Sequence, residues 1–318
     1  MVRLSIIIPV YNVERYIGKC LESCYAQDID TTEYEIIIVD DSSPDNSINI
    51  VREYQSIYDN IKIIRRPNGG LSAARNSGLS VASGDYVWFV DSDDTIASNC
   101  FAGLINRMQD ERLDILCFSL NLIFPDGKAE KYTIPHDFSQ KIYKGTQFIN
   151  NVQMPGSACI AIYRKQFLFD NNLKFKEGIL HEDQEFTPRA YCMAERISFI
   201  DQYLYNYYQR TGSIMKSNQD VKRCRDLLII ADSLYEFADN KLNKGTQEYA
   251  TLMRHVYFCV TQSLAYYSKD AFNISVYQQK PYYPMNVNYS NGLLKYKIIL
   301  ANLSLKLYLI VRTFFNHE

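Results

Sequence analysis

Tyr86-Val87-Trp88-Phe89-Val90-Asp91-Ser92-Asp93-Asp94 is the stretch that decides the fold of this chain. Its uninterrupted apolar run suits a strand covered on both faces. A cluster of carboxylates follows at once. Open α/β sheets bind ligands beyond the carboxyl ends of their strands, and an oxygen-rich cluster there suits a hard divalent cation. The same order occurs earlier. Ile6-Ile7-Ile8-Pro9-Val10 leads into Tyr11-Asn12, and Ile36-Ile37-Ile38-Val39 leads into Asp40-Asp41. A later acidic cluster is His181-Glu182-Asp183.

Helical spacing separates these runs. Val13, Ile17, Cys20, Leu21 and Cys24 share one face, with Asn12 as the expected cap. Ile48, Val51 and Tyr54 mark a second helix, 61–64 a third strand, and 71–80 a short helix after the breaker Pro67-Asn68-Gly69-Gly70. This alternation predicts parallel βαβ units over residues 1–95. A helix over 99–110 and a strand over 115–120 follow. The polar stretch 124–142, with its turn Pro125-Asp126-Gly127, predicts a hairpin or flap.

The chain has 318 residues, 47% of them hydrophobic and 22% charged, which is globular composition with room for a large core. A net charge of -2 gives no global basic field, so no nucleic-acid partner is expected. The 8 cysteines form no C-x-x-C pair and read as reduced, buried thiols. Met1-Val2-Arg3-Leu4 enters the first strand without a secretory h-region, so a cytoplasmic location is expected. Beyond residue 214, Val221, Cys224, Leu228 and Ala231, then Tyr249, Leu252, Val256 and Val260, predict two packed amphipathic helices. Over 293–315, Lys295, Asn302, Lys306 and Thr313 fall on one narrow stripe of an otherwise apolar helix. That pattern suits a helix lying in a membrane interface, at the inner face of the cell membrane. Docking on the protein or on a second copy, as in a homodimer, is the other reading.

Ile8-Pro9-Val10-Tyr11-Asn12, Val39-Asp40-Asp41-Ser42-Ser43, Asn68-Gly69-Gly70-Leu71-Ser72-Ala73-Ala74-Arg75-Asn76 and Gly84-Asp85 through Asp94 resemble, in order, the motifs of family 2 glycosyltransferases. The resemblance covers residues 3–215. It implies an α/β GT-A fold, a Rossmann-like, mostly parallel sheet flanked by helices, with a C-terminal helical extension. The domains expected are 1–215, divided into a nucleotide-binding half (1–95) and an acceptor half (96–215), and a helical region 216–318. The implied reaction is inverting transfer from a UDP-sugar to a glycan or polyprenyl-diphosphate-linked acceptor, with Mn²⁺ or Mg²⁺ as cofactor.

The resemblance also implies residue roles. Pro9, Tyr11 and Asn12 would lie along the nucleoside. Asp40 or Asp41, with Asp41 favoured, would accept the uracil N–H, since an acceptor-only carboxylate selects a base offering a donor. Asn68 and Arg75 would lie near the nucleotide, Arg75 on phosphate oxygens or bracing carboxylates. Asp93 would ligate the cation, Asp91 the ribose or the metal shell, Ser92 the nucleotide and Asp94 the donor sugar. Arg210 and Ser213, within a segment Tyr205–Ile214 resembling one that closes over the diphosphate, would donate to it. Asp183 would be the general base, with Glu182 positioning the acceptor. Small residues at Pro155–Ala158 would line the acceptor side. A sugar nucleotidyltransferase is the alternative enzyme, but its Gly-rich basic loop is replaced by Val10-Tyr11-Asn12-Val13-Glu14. A non-catalytic nucleotide-sugar binder would lack the metal acids or the base.

Overall fold

The structure is a computed structural model that describes residues 1–133, 139–151, 156–209 and 219–312. The chain forms two compact units. One comprises 1–178 with 190–214, the other 179–189 with 215–318.

In the first unit, β1 (Leu4–Val10) and β2 (Tyr34–Asp40) are buried along their whole length, as their apolar runs require. Strands β3 (Ile61–Arg65) and β4 (Tyr86–Phe89) complete a parallel half in the order β3-β2-β1-β4. Helices α1 (Ile17–Tyr25), α2 (Ser47–Gln55) and α3 (Leu71–Val81) connect these strands. Helix α3 lies close on β1: a Cβ at Gly78 would stand 2.4 Å from Ile7 Cγ2. Helix α1 starts later than its apolar spacing suggested, and no side chain caps it. Asn12 sits instead in a left-handed turn with φ 56°.

The rest of this sheet is mixed. After β5 (Thr95–Ile96) and α4 (Phe101–Asp110) comes β6 (Ile115–Ile123), which outlasts its expected end because it turns into β7 (Ala129–Tyr132). Pro125-Asp126-Gly127 makes that hairpin, with Gly127 at φ 83°. Short β8 (Ile142–Tyr143) and α5 (Gly145–Asn151) follow. Strand β9 (Ala161–Arg164) runs antiparallel between β4 and β6, and α6 (Lys165–Asp170) comes after it. After α7 (Glu182–Met193), β10 (Ile197–Tyr208) pairs parallel with β6 and antiparallel with β5 and β8. Tyr205–Tyr208 therefore belong to a strand and not to a closing loop, because their backbone completes this sheet and the Tyr205 ring is buried. All 8 cysteines are buried free thiols.

The second unit is helical. Helices α8 (Asp220–Lys241) and α9 (Gln247–Ala265) pack through Leu227, Ile230, Ala231 and Leu234 and through Leu252, Val256 and Val260. Short α10 (Ser275–Gln278) follows. The expected single helix over 293–315 is instead α11 (Gly292–Leu303) and α12 (Leu305–Val311), interrupted where Ser304 becomes extended and caps α12 through Leu307 N–H. Asn302 is not on a solvent stripe. It donates to the Met285 carbonyl at 2.7 Å and accepts the Met285 N–H at 2.9 Å. Ile298, Ala301, Leu305 and Tyr308 are buried, and Arg312 donates to the Leu264 and Tyr267 carbonyls. The outward side is apolar, carrying Tyr296, Ile299, Leu303, Leu307 and Ile310. Thr313 and Phe315 lie outside the described residues, and no described helix is long and apolar enough to cross a membrane.

Candidate active site

The carboxyl ends of β1 and β2 are joined by short hydrogen bonds. Asn12 N–H donates to Ser43 Oγ at 2.8 Å, Val13 N–H to Ser47 Oγ at 3.1 Å and Glu14 N–H to Asp45 at 2.8 Å. These bonds hold the turn that presents Tyr11, which is half exposed, beyond buried Pro9. Asp40 and Asp41 are both buried and both engaged. Asp40 Oδ1 accepts Ser43 N–H at 2.8 Å, with Arg65 3.4 Å from Oδ2. Asp41 accepts Arg66 at 2.8 Å and the N–H groups of Gly69 and Gly70 at 3.0 and 2.8 Å, while Asn68 Nδ2 donates to its carbonyl. Gly70 has φ 84°, a conformation open to glycine, which aims that N–H at the carboxylate.

Arg75 is completely buried on α3. Its Nη2 donates to Asp91 Oδ1 at 2.8 Å, its guanidinium lies 5.0 Å from the Phe175 ring centroid, and Cys159 Sγ is 3.5 Å away. Of its two expected roles, the structure displays the bracing of carboxylates. A planar donor fork fixed in a dry setting holds Asp91 in one orientation.

Asp94, the residue expected at the donor sugar, is enclosed in the fold. It is 1% exposed, and its oxygens accept Tyr205 Oη–H at 2.7 Å and Tyr208 N–H at 2.9 Å. Burial, and then the charges of Asp91 and Asp93, push its pKa well above the usual carboxylate range. Asp94 thereby anchors the acidic loop to β10. Ser92 is buried as well, while Asp91 and Asp93 are partly exposed.

The acidic loop suits a divalent cation in its donor chemistry. Asp91 keeps 26% of its side chain exposed, with Arg75 occupying Oδ1 alone. Among the described residues no group of three or more His, Cys, Asp or Glu is gathered into a metal cage. Two carboxylates completed by substrate phosphates and water are what Mg²⁺ ordinarily takes.

Glu182 and Asp183 lie in the helical unit, in the first turn of α7, with Glu182 buried and Asp183 half-buried. The preceding His181 has φ 61°, an uncommon conformation for a non-glycine residue. Burial, and then Arg223, lower its pKa. Arg210, Ser213 and Pro155 lie outside the described residues. Residues 158–160 form a 3-10 turn whose Cys159 carbonyl accepts Trp88 Nε1–H at 2.7 Å.

Tyr205, Tyr208 and Arg66 are the site residues that sequence reasoning missed. Tyr205 stands in a tyrosine-rich run without a local signature. Arg66 could have been noticed as a cation directly before the Pro67–Gly70 breaker.

The parallel order β3-β2-β1-β4, the mixed remainder of the sheet and an acidic loop after β4 fit the GT-A fold. The Glycosyl transferase family 2 model matches residues 5–170, and the chain belongs to that family. It is 33% identical over 224 residues to glycosyltransferase GlyA of Streptococcus pneumoniae, an alignment covering 67% of this chain and 32% of GlyA. It is 32% identical to poly(ribitol-phosphate) beta-N-acetylglucosaminyltransferase TarS of Staphylococcus aureus, covering 68% of this chain and 37% of TarS. The chain thus spans about a third of the length of both relatives. The crystal structure of S. aureus TarS 1–349 in complex with UDP-GlcNAc superposes with a TM-score of 0.70 at 24% identity, covering 98% of this chain and 91% of that one.

Proposed function

We propose that this glycosyltransferase moves one sugar from a UDP-sugar to a hydroxyl of a glycan, or of a saccharide on a polyprenyl diphosphate, with inversion, in surface-polysaccharide synthesis. The observation carrying this reading is Asp91, braced by buried Arg75 beside partly exposed Asp93 after β4. Asp91 and Asp93 would hold Mn²⁺ or Mg²⁺, whose charge, when bound, offsets that developing on the departing diphosphate. Tyr11 and the engaged Asp40–Asp41 pair would form the nucleoside wall, and Arg210 and Ser213 would donate to the diphosphate. Asp183 would accept the proton of the attacking hydroxyl, with Glu182 orienting the acceptor. TarS, a relative named for transfer to poly(ribitol-phosphate), supports an anionic polymer of phosphate-linked polyols as a class of acceptor.

The apolar outward side of α11 and α12 supports peripheral contact with the inner membrane face. Lys295 and Lys306 are exposed there, and no acidic residue occurs from 291 to 312. A basic, apolar helix face favours anionic lipid.

The deciding experiment is a donor panel with Mn²⁺ present, scoring release of nucleoside diphosphate from each sugar nucleotide. A UDP-sugar should be turned over and the signal should vanish with chelator. Turnover of GDP-sugars alone, or unaltered activity in chelator, would refute the donor or the metal assignment respectively.

A further inference from the structure

The segment bearing Glu182 and Asp183 is bonded on both sides of Asp183 to the long helices of its own unit. Before it, Leu180 N–H donates to Asp226 Oδ2 of α8 at 2.7 Å, and the same oxygen accepts Lys222 Nζ at 2.7 Å. After it, the Gln184 carbonyl lies 3.2 Å from His255 Nε2 of α9, and Gln184 Oε1 accepts the Cys259 thiol. The next residue, Glu185, accepts Ser233 Oγ–H at 2.7 Å and Arg189 through both of its oxygens.

These bonds have a definite sense. A carbonyl can only accept, so the His255 proton facing Gln184 is on Nε2. Burial lowers the His255 pKa to about 4, which keeps the ring neutral near pH 7. Asp226 is 4% exposed, and a buried carboxylate accepting a backbone N–H makes a short, charge-assisted bond. His181, between the anchors, is held in its left-handed conformation, and its Nε2 is buried without a hydrogen-bond partner among the described residues. The segment is therefore held against local strain by bonds to α8 and α9.

Resting on the reading of Asp183 as general base, we infer that Asp226 and His255 are positioning residues that set the base from the helical unit, through Leu180 and Gln184. The helical region thus serves the proton-transfer step, whatever surface its last helices contact. Displacement of a reacting group by about 1 Å can cost on the order of a hundredfold in rate, so losing one anchor should register in kcat.

The test uses the full chain. Asp226→Ala removes the acceptor for Leu180 N–H, Asp226→Asn restores an oxygen there, and His255→Phe removes the donor to Gln184 while keeping a ring. Transfer kcat should fall about tenfold or more in Asp226→Ala and His255→Phe. Donor KM and Mn²⁺-dependent UDP affinity by calorimetry should stay within about twofold of the parent, and Asp226→Asn should recover most of the rate. An unchanged kcat in Asp226→Ala overturns the inference. So does a parallel loss of UDP affinity, because the effect would then extend beyond 179–189. Asp183→Asn is measured alongside. Normal transfer in that variant defeats the base reading itself, whereas its inactivity beside a normal Asp226→Ala defeats only the positioning role.

Discussion

The Tyr205 hydroxyl donates to Asp94 Oδ2 at 2.7 Å and accepts the Asp91 backbone N–H at 3.1 Å. One side chain from β10 thereby ties two members of the acidic loop. Tyr205 is itself 2% exposed, so water does not replace these bonds when they are lost. Tyr205→Phe should destabilise the fold by about 1–3 kcal/mol, the cost of leaving a buried polar group short of a partner. It should also weaken Mn²⁺-dependent UDP binding several-fold. Urea denaturation and calorimetry read the two effects, and parent-like values in both would show that the tie is dispensable.

Asp93→Ala should leave thermal stability near that of the parent, since this side chain is partly exposed, yet abolish the Mn²⁺-dependent component of UDP binding. Titration of UDP with and without Mn²⁺ measures that component directly. Equal metal enhancement in parent and variant would transfer the ligand role to another acid.

Glu35 offers a pH test away from the site. Burial alone would raise its pKa, but bonds from Ser5, the Ser83 N–H and hydroxyl, and Lys62 outweigh it and lower the value from 4.5 to about 2. A carboxylate lowered on folding stabilises the native state above its unfolded value. That contribution is lost as pH falls from 4.5 toward about 2. Glu35→Gln should therefore reduce stability at pH 7 by on the order of 2–3 kcal/mol and flatten the acid limb of the stability profile. Denaturation midpoints at pH 7, 4 and 3 test this, and a variant as acid-sensitive as the parent would contradict it.

The outward face of α11 and α12 is tested by Leu303→Glu combined with Ile310→Glu. Both are exposed, so the fold should tolerate the change, whereas deleting the segment would strip buried Ile298 and Tyr308. Removing two apolar insertions worth about 1.5–3 kcal/mol each should lower sedimentation with phosphatidylglycerol vesicles at least tenfold. Parent-like sedimentation refutes the lipid contact, and so does a concentration-dependent dimer that the substitutions dissolve, which would assign the face to a second copy.

Much of the first unit was legible without coordinates. The apolar runs of β1, β2 and β4 and the helical spacing between them are local signals, and each acidic motif follows its strand by a residue or two. Arg75 was recognisable as a phosphate or carboxylate partner. Its complete burial beside Phe175 and Cys159 was not, because those residues arrive from distant elements. The tail was legible as apolar and basic. Its break, where extended Ser304 caps the next helix, and the inward turn of Asn302 onto Met285, which no helical repeat relates to it, were not.

By itself, then, the sequence determined the parallel half of the sheet, the family and the ordered set of acids, because periodicity and strand-end placement are short-range properties of a chain. Tertiary structure alone decided what each acid does with its oxygens. Asp94 is held by Tyr205 across a separation of 111 residues, Asp41 by Arg66 and Gly70, and the segment around Asp183 by α8 and α9. A carboxylate's role depends on burial and on which donors reach it, and the donors that matter here come from elsewhere in the chain.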